Sequence, residues 1–317
     1  MNALRYLVVI LVSLPLILEA QQAVQQTGPP IPLTDGSTYL MAPRWSPDGN
    51  TIAATSTNYR GIYLISYPDG EINQISDHPA AGFGMQWSHS DEKIATTVAK
   101  FQEKMRFNAL LVLDSNTGIE LLLSDYQTLF PGTPEWTSDD QYIYMKGTDK
   151  FKLYNVQSQT RVESPSGRPA PSEFIYSKKG KLYSYQVDAG TEQDIQPVEG
   201  QILNLTFSPD GSKIAFEIIG GHLWVANSDG SNPVDLGVGY RPIFSPDGQK
   251  ITYMITEDNG HEFTSADIYI INVDGSGKTN ITNTSDVLEM YPSWSPDGTW
   301  IAYSNITTGQ IFVQEVE

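Results

Sequence analysis

The feature that most restricts the fold is a five-residue pattern that recurs along the chain, an aromatic residue followed by Ser-Pro-Asp-Gly. It is complete at residues 45–49, 207–211, 244–248 and 294–298, and weaker copies begin at Trp87 and Trp136. We interpret residues 176–180 as a worn seventh copy. The copies recur at intervals of roughly 40 residues, which is typical of an array built from one repeated structural unit.

Each copy lies in the same local order of strands and turns. The aromatic residue ends a short strand, and Ser-Pro-Asp-Gly forms a tight turn, because Pro presets φ, Asp bonds nearby backbone and Gly adopts a positive φ. In the first unit, two strands follow at residues 51–55 and 61–65. A hairpin turn at residues 68–70 then leads into a short fourth strand at residues 72–75.

Four antiparallel strands in every unit predict an all-β fold, a β-propeller whose blades stack around an axis. The last unit ends after its third strand, residues 310–314, and an unassigned strand, residues 31–34, precedes the first motif. We therefore expect the N-terminal strand to close the last blade. Seven blades are favoured, and six is the alternative, because residues 141–200 carry only a poor copy of the motif.

The complete motifs and the strands after them, such as Lys-Ile-Ala-Phe at residues 213–216, resemble the TolB-type propeller repeat, a relative of the WD-type repeats. The resemblance covers nearly all of residues 31–317. It implies the fold more than the function, because the same blade serves scaffolds, peptidase gates and polysaccharide enzymes. TolB itself carries an α/β domain before a six-bladed propeller. Residues 21–30 leave no room for that domain, so the expectation is a stand-alone TolB-like propeller.

The N-terminus has the pattern of an export signal. Arg5 precedes an apolar run at residues 6–18, and a polar stretch follows Ala20. The run is shorter than the roughly 20 apolar residues that span a bilayer. We predict a signal peptide at residues 1–20 and a flexible leader at 21–30. The alternative is that the apolar run is not cleaved and anchors the protein in the membrane. If the signal peptide is cleaved, the mature chain has no integral membrane segment. The expected location is the periplasm or the cell exterior.

Charge and cysteine content exclude several classes of function. The 317 residues include 37 Asp and Glu against 19 Lys and Arg, a formal net charge of −18. This balance argues against binding to nucleic acid or to an anionic membrane surface. The chain contains no cysteine, which excludes disulfides, thiolate metal sites and a cysteine nucleophile.

No residue is predicted to be catalytic or to bind a metal. The sequence lacks a Gly-x-Ser-x-Gly elbow and a phosphate-binding loop, and its four histidines do not form a ligand pattern. We expect no cofactor beyond loosely bound calcium. The recurring motif aspartates are interpreted as turn-stabilising residues rather than metal ligands or catalytic groups. They are Asp48, Asp210, Asp247 and Asp297.

The best candidates for a binding surface are the links between blades, which the family resemblance places around the mouth of a central channel. These links are rich in aromatic residues, which are favoured at protein-binding hot spots together with Arg. The candidate rim residues are Tyr39, His78, Phe83, Phe130, Tyr240, Arg241, Glu289 and Tyr291. The alternative is that several of them pack locally beneath neighbouring links.

Three functions stay open at this stage. The first is an exported, monomeric scaffold or binding module that captures a protein or peptide at the rim. The second is an enzyme with its active site in the channel, such as a polysaccharide lyase or a lactonase. The third is a module that binds polysaccharide through the aromatic rim. With one Arg in acidic surroundings, the rim is expected to suit a peptide or a sugar better than a highly charged ligand.

Overall fold

The fold consists of seven antiparallel β-sheets arranged as the blades of a propeller. The computed structural model describes residues 28–128, 132–146, 151–162, 173–186, 189–285 and 287–316. The prediction of an all-β propeller with seven blades is confirmed. Within these ranges the one helical segment is a single 3₁₀ turn, Thr57–Tyr59. No helix in the described part of the chain combines the length and the apolar character needed to cross a membrane.

The strands follow the chain blade by blade, from the innermost strand outwards. Blade 1 contains β2 (Met41–Trp45), β3 (Thr51–Thr55), β4 (Ile62–Ser66) and β5 (Ile72–Ser76). Blade 2 contains β6 (Gln86–Trp87), β7 (Lys93–Gln102), β8 (Met105–Asp114) and β9 (Glu120–Leu122). Blade 3 contains β10 (Pro134–Trp136), β11 (Tyr142–Lys146), β12 (Phe151–Asn155) and β13 (Thr160–Val162).

The remaining blades have the same organisation. Blade 4 has three strands in its described part, β14 (Glu173–Lys178), β15 (Lys181–Gln186) and β16 (Thr191–Asp194). Blade 5 contains β17 (Ile202–Phe207), β18 (Lys213–Ile218), β19 (His222–Asn227) and β20 (Val234–Val238). Blade 6 contains β21 (Tyr240–Phe244), β22 (Lys250–Asp258), β23 (Phe263–Asn272) and β24 (Thr279–Asn280). Blade 7 contains β25 (Glu289–Trp294), β26 (Trp300–Asn305), β27 (Gln310–Glu315) and β1 (Ile31–Pro32).

The predicted closure of the ring is confirmed, since β1 is the outer strand of blade 7. Ile31 lies opposite Val313, and the pairing continues as the Leu33 N–H donates to the Ile311 carbonyl at 2.8 Å. The Ile311 N–H in turn donates to the Thr34 hydroxyl at 2.9 Å. The two ends of the propeller domain are therefore hydrogen-bonded in one sheet.

The hydrophobic core is divided into layers that lie between neighbouring blades. In one such layer, Trp136 and Ile143 of blade 3 pack with Ala95 and Leu110 of blade 2. The Trp136 indole N–H also donates to the carbonyl of Gln86 in blade 2, at 3.1 Å. The motif aromatic residue thus joins one blade to the preceding one, through apolar contact and through a hydrogen bond.

Blade 4 shows that the predicted seventh copy of the motif is wrong. The turn at residues 178–181 receives a hydrogen bond from the start of the next blade, because the N–H of Ile202, the first residue of β17, donates to the Gly180 carbonyl at 2.7 Å. In blade 5 the same bond joins Gly239 to Gly221, in the turn between the second and third strands. Residues 178–181 are therefore that turn, and β14 holds the second position of its blade. Residues 163–172, which precede β14, lie outside the described residues.

Candidate functional site

The first strand of most blades contains a β-bulge three residues before the motif aromatic residue. In β21 the pairing with β22 shifts between Tyr240 and Ile243, and Arg241 has a φ of +54°. In β25 the shift lies between Met290 and Ser293, and Tyr291 has a φ of +60°. A bulge re-aims a side chain and often occurs beside functional sites. Such a backbone is unusual for a side chain as large as Arg or Tyr.

Six residues in this position line the mouth of one central cavity, and we call them the mouth ring. They are Ala42, Gly84, Thr133, Asn204, Arg241 and Tyr291. Five further residues, each immediately before its motif aromatic residue, line the cavity deeper along the same strands, and we call them the inner ring. They are Arg44, Gln86, Thr206, Ile243 and Ser293. The cavity has a volume of about 720 Å³, within the range typical of ligand sites.

The cavity is positively charged although the chain is acidic. Arg44 and Arg241 are the charged side chains among its described lining residues. Burial and the neighbouring Arg241 guanidinium lower the pKa of Arg44, and Tyr59 acts in the opposite direction. In the described part of the chain, neither guanidinium forms an ion pair. The carboxylate nearest to Arg241 belongs to the buried Glu217, which accepts hydrogen bonds from the Arg241 main-chain N–H and the Asn204 side chain.

Aromatic side chains pack against one another beside the two arginines. The Arg241 guanidinium lies 4.9 Å from the centroid of the Tyr291 ring, within the distance of a cation–π interaction. Phe83 and Tyr59 make an edge-to-face pair with centroids 5.2 Å apart. Burial, followed by hydrogen bonding with Tyr59, raises the pKa of Tyr291 to about 12. Its hydroxyl therefore stays protonated at neutral pH and is engaged by Tyr59.

Three of the predicted rim residues lie together in this cavity, namely Phe83, Arg241 and Tyr291. Tyr39 lies close by, and its hydroxyl donates to the Ile306 carbonyl of blade 7 at 2.7 Å. Phe130 lies outside the described residues, so the structure does not place it.

The other three predicted rim residues do not line the cavity. His78 lies 3.0 Å from Glu120 on the outer strand of blade 2, measured between Nε2 and Oε2. Tyr240 packs on the apolar cluster between blades 6 and 7. Glu289 is buried, accepts a hydrogen bond from the Thr284 hydroxyl at 2.7 Å, and has its pKa raised by burial. These three residues form local packing between blades, as the alternative interpretation of the rim expected.

The motif aspartates lie at the other end of the same inner strands. In the first turn, the Ser46 hydroxyl and the Asn50 N–H donate to Asp48 Oδ1 at 2.5 and 3.0 Å. The corresponding Ser and main-chain N–H donors reach Asp210, Asp247 and Asp297. Each carboxylate is thus engaged within its own turn.

Neighbouring turns on this face interlock in two ways. Between complete motifs, the Pro of one turn faces the Gly of the next, and Pro246 is near enough to touch a side chain placed at Gly298. In blades 2 and 3 the Pro position is His89 and the Gly position is Asp140. The Asp140 carboxylate accepts hydrogen bonds from the main-chain N–H groups of His89 and Ser90, both at 2.9 Å. Asp91, at the Gly position of blade 2, likewise accepts a hydrogen bond from the Asp48 N–H of blade 1 at 3.0 Å, although that turn keeps Pro47. In both blades, an acidic side chain in the place of Gly therefore bonds the main chain of the preceding turn.

Residues that could hold a metal do not converge in the described part of the chain. No group of three or more His, Asp or Glu side chains there has suitable geometry. His78 is paired with Glu120, His89 with Asp140 and His222 with Asp235.

Two long hairpins extend blades 2 and 6 on the side of the cavity mouth. The β7–β8 hairpin carries Phe101 and Met105 near its tip, and the β22–β23 hairpin carries Phe263. These side chains are 67%, 51% and 51% exposed. They place apolar surface next to the charged cavity.

Comparisons with known proteins give the fold. No family model matches the chain. It is 35% identical over 77 residues to the uncharacterized peptidase YuxL of Bacillus subtilis, a match that covers 23% of this chain and only 12% of the peptidase. It is 23% identical over 284 residues to the uncharacterized protein Atu1656 of Agrobacterium fabrum, covering 83% of each.

Solved structures with the same architecture include TolB-like propellers. An oligogalacturonate lyase of Vibrio parahaemolyticus superposes with a TM-score of 0.64 at 14% identity, covering 94% of both chains. TolB of Acinetobacter baumannii has a TM-score of 0.51 at 19% identity, covering 81% of this chain and 57% of TolB. A putative TolB of Agrobacterium tumefaciens has a TM-score of 0.50 at 19% identity, covering 88% and 89%. At these identities the likeness is one of fold alone.

Proposed function

We propose that the protein is an exported, TolB-like propeller that binds a protein partner by taking a peptide segment into the mouth of its central cavity. The observation that carries the proposal is the cavity itself. It is lined at its mouth by Phe83, Tyr291 and Arg241, residue types that dominate the energetics of protein interfaces.

The bulged inner strands support a peptide as the ligand. At each bulge one residue leaves the strand ladder and its side chain is re-aimed. The main-chain N–H groups of Ala42 and Arg241 are bonded by Ser304 and Glu217, so the mouth-ring side chains, rather than these N–H groups, contact an extended segment. The exposed Phe101 and Met105 extend this surface for the body of a partner.

A second candidate function is action on an acidic polysaccharide, favoured by the superposition on an oligogalacturonate lyase. The inner-ring Arg44 would suit a uronate substrate. A lyase of this kind would release products with a new carbon–carbon double bond, which absorb ultraviolet light. Plain polysaccharide binding without turnover is the third alternative.

Export is part of the proposal because of the signal-like segment at residues 1–20. This segment lies outside the described residues, and fractionation of cells that express the full chain would test its role. Recovery in the periplasm or the medium, with a new N-terminus after Ala20, supports export with cleavage. Retention in the membrane fraction with an intact N-terminus would instead support the anchor.

The binding function is tested by selecting peptides from a displayed random library on the purified protein. We expect the wild type to enrich a recognisable sequence pattern. The Tyr291→Ala variant should lose most of that enrichment, because truncating a hot-spot aromatic residue weakens binding by roughly 1–4 kcal/mol. Tyr63→Ala is the control, because Tyr63 is a half-buried aromatic residue that packs on the layer between blades 7 and 1 and does not line the cavity.

A library that yields no enriched peptide on the folded wild type would contradict the proposal. An increase in ultraviolet absorbance on incubation with polygalacturonate would favour lyase activity over peptide binding. Equal enrichment by wild type and Tyr291→Ala would move the binding site away from the cavity mouth.

A further inference from the structure

The pair formed by Arg44 and Arg241 is unusual because neither guanidinium forms an ion pair among the described residues, although both line the same cavity. Placing a charge away from water is costly unless it is paired. Burial lowers the pKa of Arg44, and its second cause is another cation rather than an anion. Two like charges held together in a cavity are an arrangement that an anion would stabilise.

The acidic groups of the surrounding strands do not supply that anion. Glu217 is held by the Arg241 main chain and by Asn204, which donates at 2.7 Å. Glu135 holds the inner-ring position on β10, but it accepts a hydrogen bond from the Tyr144 hydroxyl at 2.7 Å and is not a cause of the Arg44 pKa shift. The described cavity lining contains no Asp or Glu. The charged side chains of the described lining are therefore both cationic, in a chain whose formal net charge is −18.

We propose that the cavity recognises a carboxylate of an acidic peptide segment, which enters between Arg241 at the mouth and Arg44 in the inner ring. This inference rests on the proposed peptide-binding function and names its ligand chemistry. The planar guanidinium suits two-point hydrogen bonding to a carboxylate. The Tyr291 ring lies against the Arg241 guanidinium at the mouth, and its hydroxyl is engaged by Tyr59.

The aromatic geometry favours a peptide over an acidic sugar. A sugar ring usually packs its C–H face on an open aromatic face. Here one face of Tyr291 is covered by the Arg241 guanidinium at 4.9 Å. Phe83 and Tyr59 are turned edge-to-face on each other. The Tyr291 face that meets Arg241 is therefore not open to a sugar ring.

The test uses the full chain and the displayed random library, followed by synthetic peptides made from the enriched sequences. We expect the enriched sequences to contain Asp or Glu. Replacing that residue with Asn or Gln should weaken binding at least about tenfold in fluorescence anisotropy, since charged hydrogen bonds are the strong ones. Arg44→Gln and Arg241→Gln should each cause a similar loss, and raised salt should weaken the wild-type complex.

Two variants separate recognition from folding. Arg161→Gln is the matched control, because Arg161 is exposed on the outer strand of blade 3, and it should bind like the wild type. Arg241→Lys keeps the charge but removes the planar guanidinium, so its affinity for the peptide should lie between those of the wild type and Arg241→Gln. Thermal unfolding of each variant shows whether the protein is folded.

The outcomes are distinct. Enriched peptides without an acidic residue, or equal binding by Arg44→Gln and wild type, would overturn this inference while peptide binding stands. If no peptide is enriched, that result contradicts both this inference and the proposed function. Binding of trigalacturonate that depends on Arg44, without peptide binding, would assign the arginine pair to an acidic sugar and overturn the peptide as ligand.

Discussion

The guanidinium of Arg241 lies 4.9 Å above the ring of Tyr291, and both residues have a left-handed backbone. The two belong to the first strands of neighbouring blades, and the two bulges bring their side chains together at the cavity mouth. A Cβ-bearing residue in this region carries a backbone cost of roughly 1–2 kcal/mol. The surrounding sheets maintain this conformation at the site where we place ligand binding.

Arg241→Gly should be more stable than Arg241→Ala by about 1 kcal/mol, because both variants lose the contact with Tyr291 and only Gly accepts a φ of +54° without strain. The usual order in a strand is the reverse. Chemical denaturation of the two variants measures the difference. A more stable Ala variant would show that the bulge is not strained.

Arg44→Gln should raise the melting temperature, although it weakens binding of an acidic ligand. The change removes a desolvated charge that faces Arg241 without a counter-ion among the described residues. Thermal unfolding at low ionic strength, where like charges interact most strongly, is the suitable measurement. A marked loss of stability would mean that Arg44 has a structural role instead.

Asp140→Gly should destabilise the protein by roughly 1–3 kcal/mol, although it restores the residue found at this position in the complete motifs. The variant leaves the N–H groups of His89 and Ser90 without their acceptor. His89→Pro combined with Asp140→Gly should cost less than the sum of the single changes, because Pro has no N–H to satisfy. Additive effects in this double-mutant cycle would contradict the proposed interlock.

Stability should decrease as the pH falls from about 4 towards 2, in part through Asp210. Hydrogen bonds from Ser208 and then Ser212 lower the pKa of Asp210 from 3.8 to about 2. Because the pKa is lower in the folded state, the stabilisation exists above the ordinary pKa and is lost as the pH falls through the folded value. Asp210→Asn should flatten the dependence of the unfolding free energy on pH in this interval. Asp69→Asn, on an exposed turn, is the control and should leave the slope unchanged.

Deleting residues 21–36 should lower the melting temperature sharply, because it removes β1 and leaves β27 as an exposed edge. Deleting residues 21–27 alone retains β1 and serves as the control. Differential scanning calorimetry of the two deletion variants compares their melting temperatures directly. Equal melting temperatures would show that closure by β1 contributes little to stability.

The sequence was sufficient to predict the blades but not the arrangement of the cavity. Turn chemistry, alternation and the repeat period together identified the propeller and its closing strand. The bulges could not be recognised from alternation, because the extra residue reverses which side chain faces the cavity. Tyr240 therefore packs in the core, and Arg44, which the sequence analysis did not select, faces the lumen.

One sequence signal could have located the bulges. A Pro follows the bulged residue in three inner strands, at Pro43, Pro242 and Pro292. It cannot donate to the strand ladder, so it is confined in sheets to edges and bulges. The wrong assignment of residues 176–180 to the motif has a different cause. A short turn that contains Gly resembles a degenerate copy of the motif, and the sequence does not show that this turn joins the second and third strands of its blade.

The mouth ring also has an evolutionary consequence. Each of its members is contributed by a different blade, at a position where the strand has already left its regular pairing. A substitution there changes the chemistry of the entrance and also acts on the neighbouring member of the ring. A side chain at Gly84 would meet Thr133, and Arg241 contacts Tyr291, which packs on the layer between blades 6 and 7. The entrance is therefore a coupled ring, so that a change in what the cavity accepts at one blade restricts the residues that fit at the next.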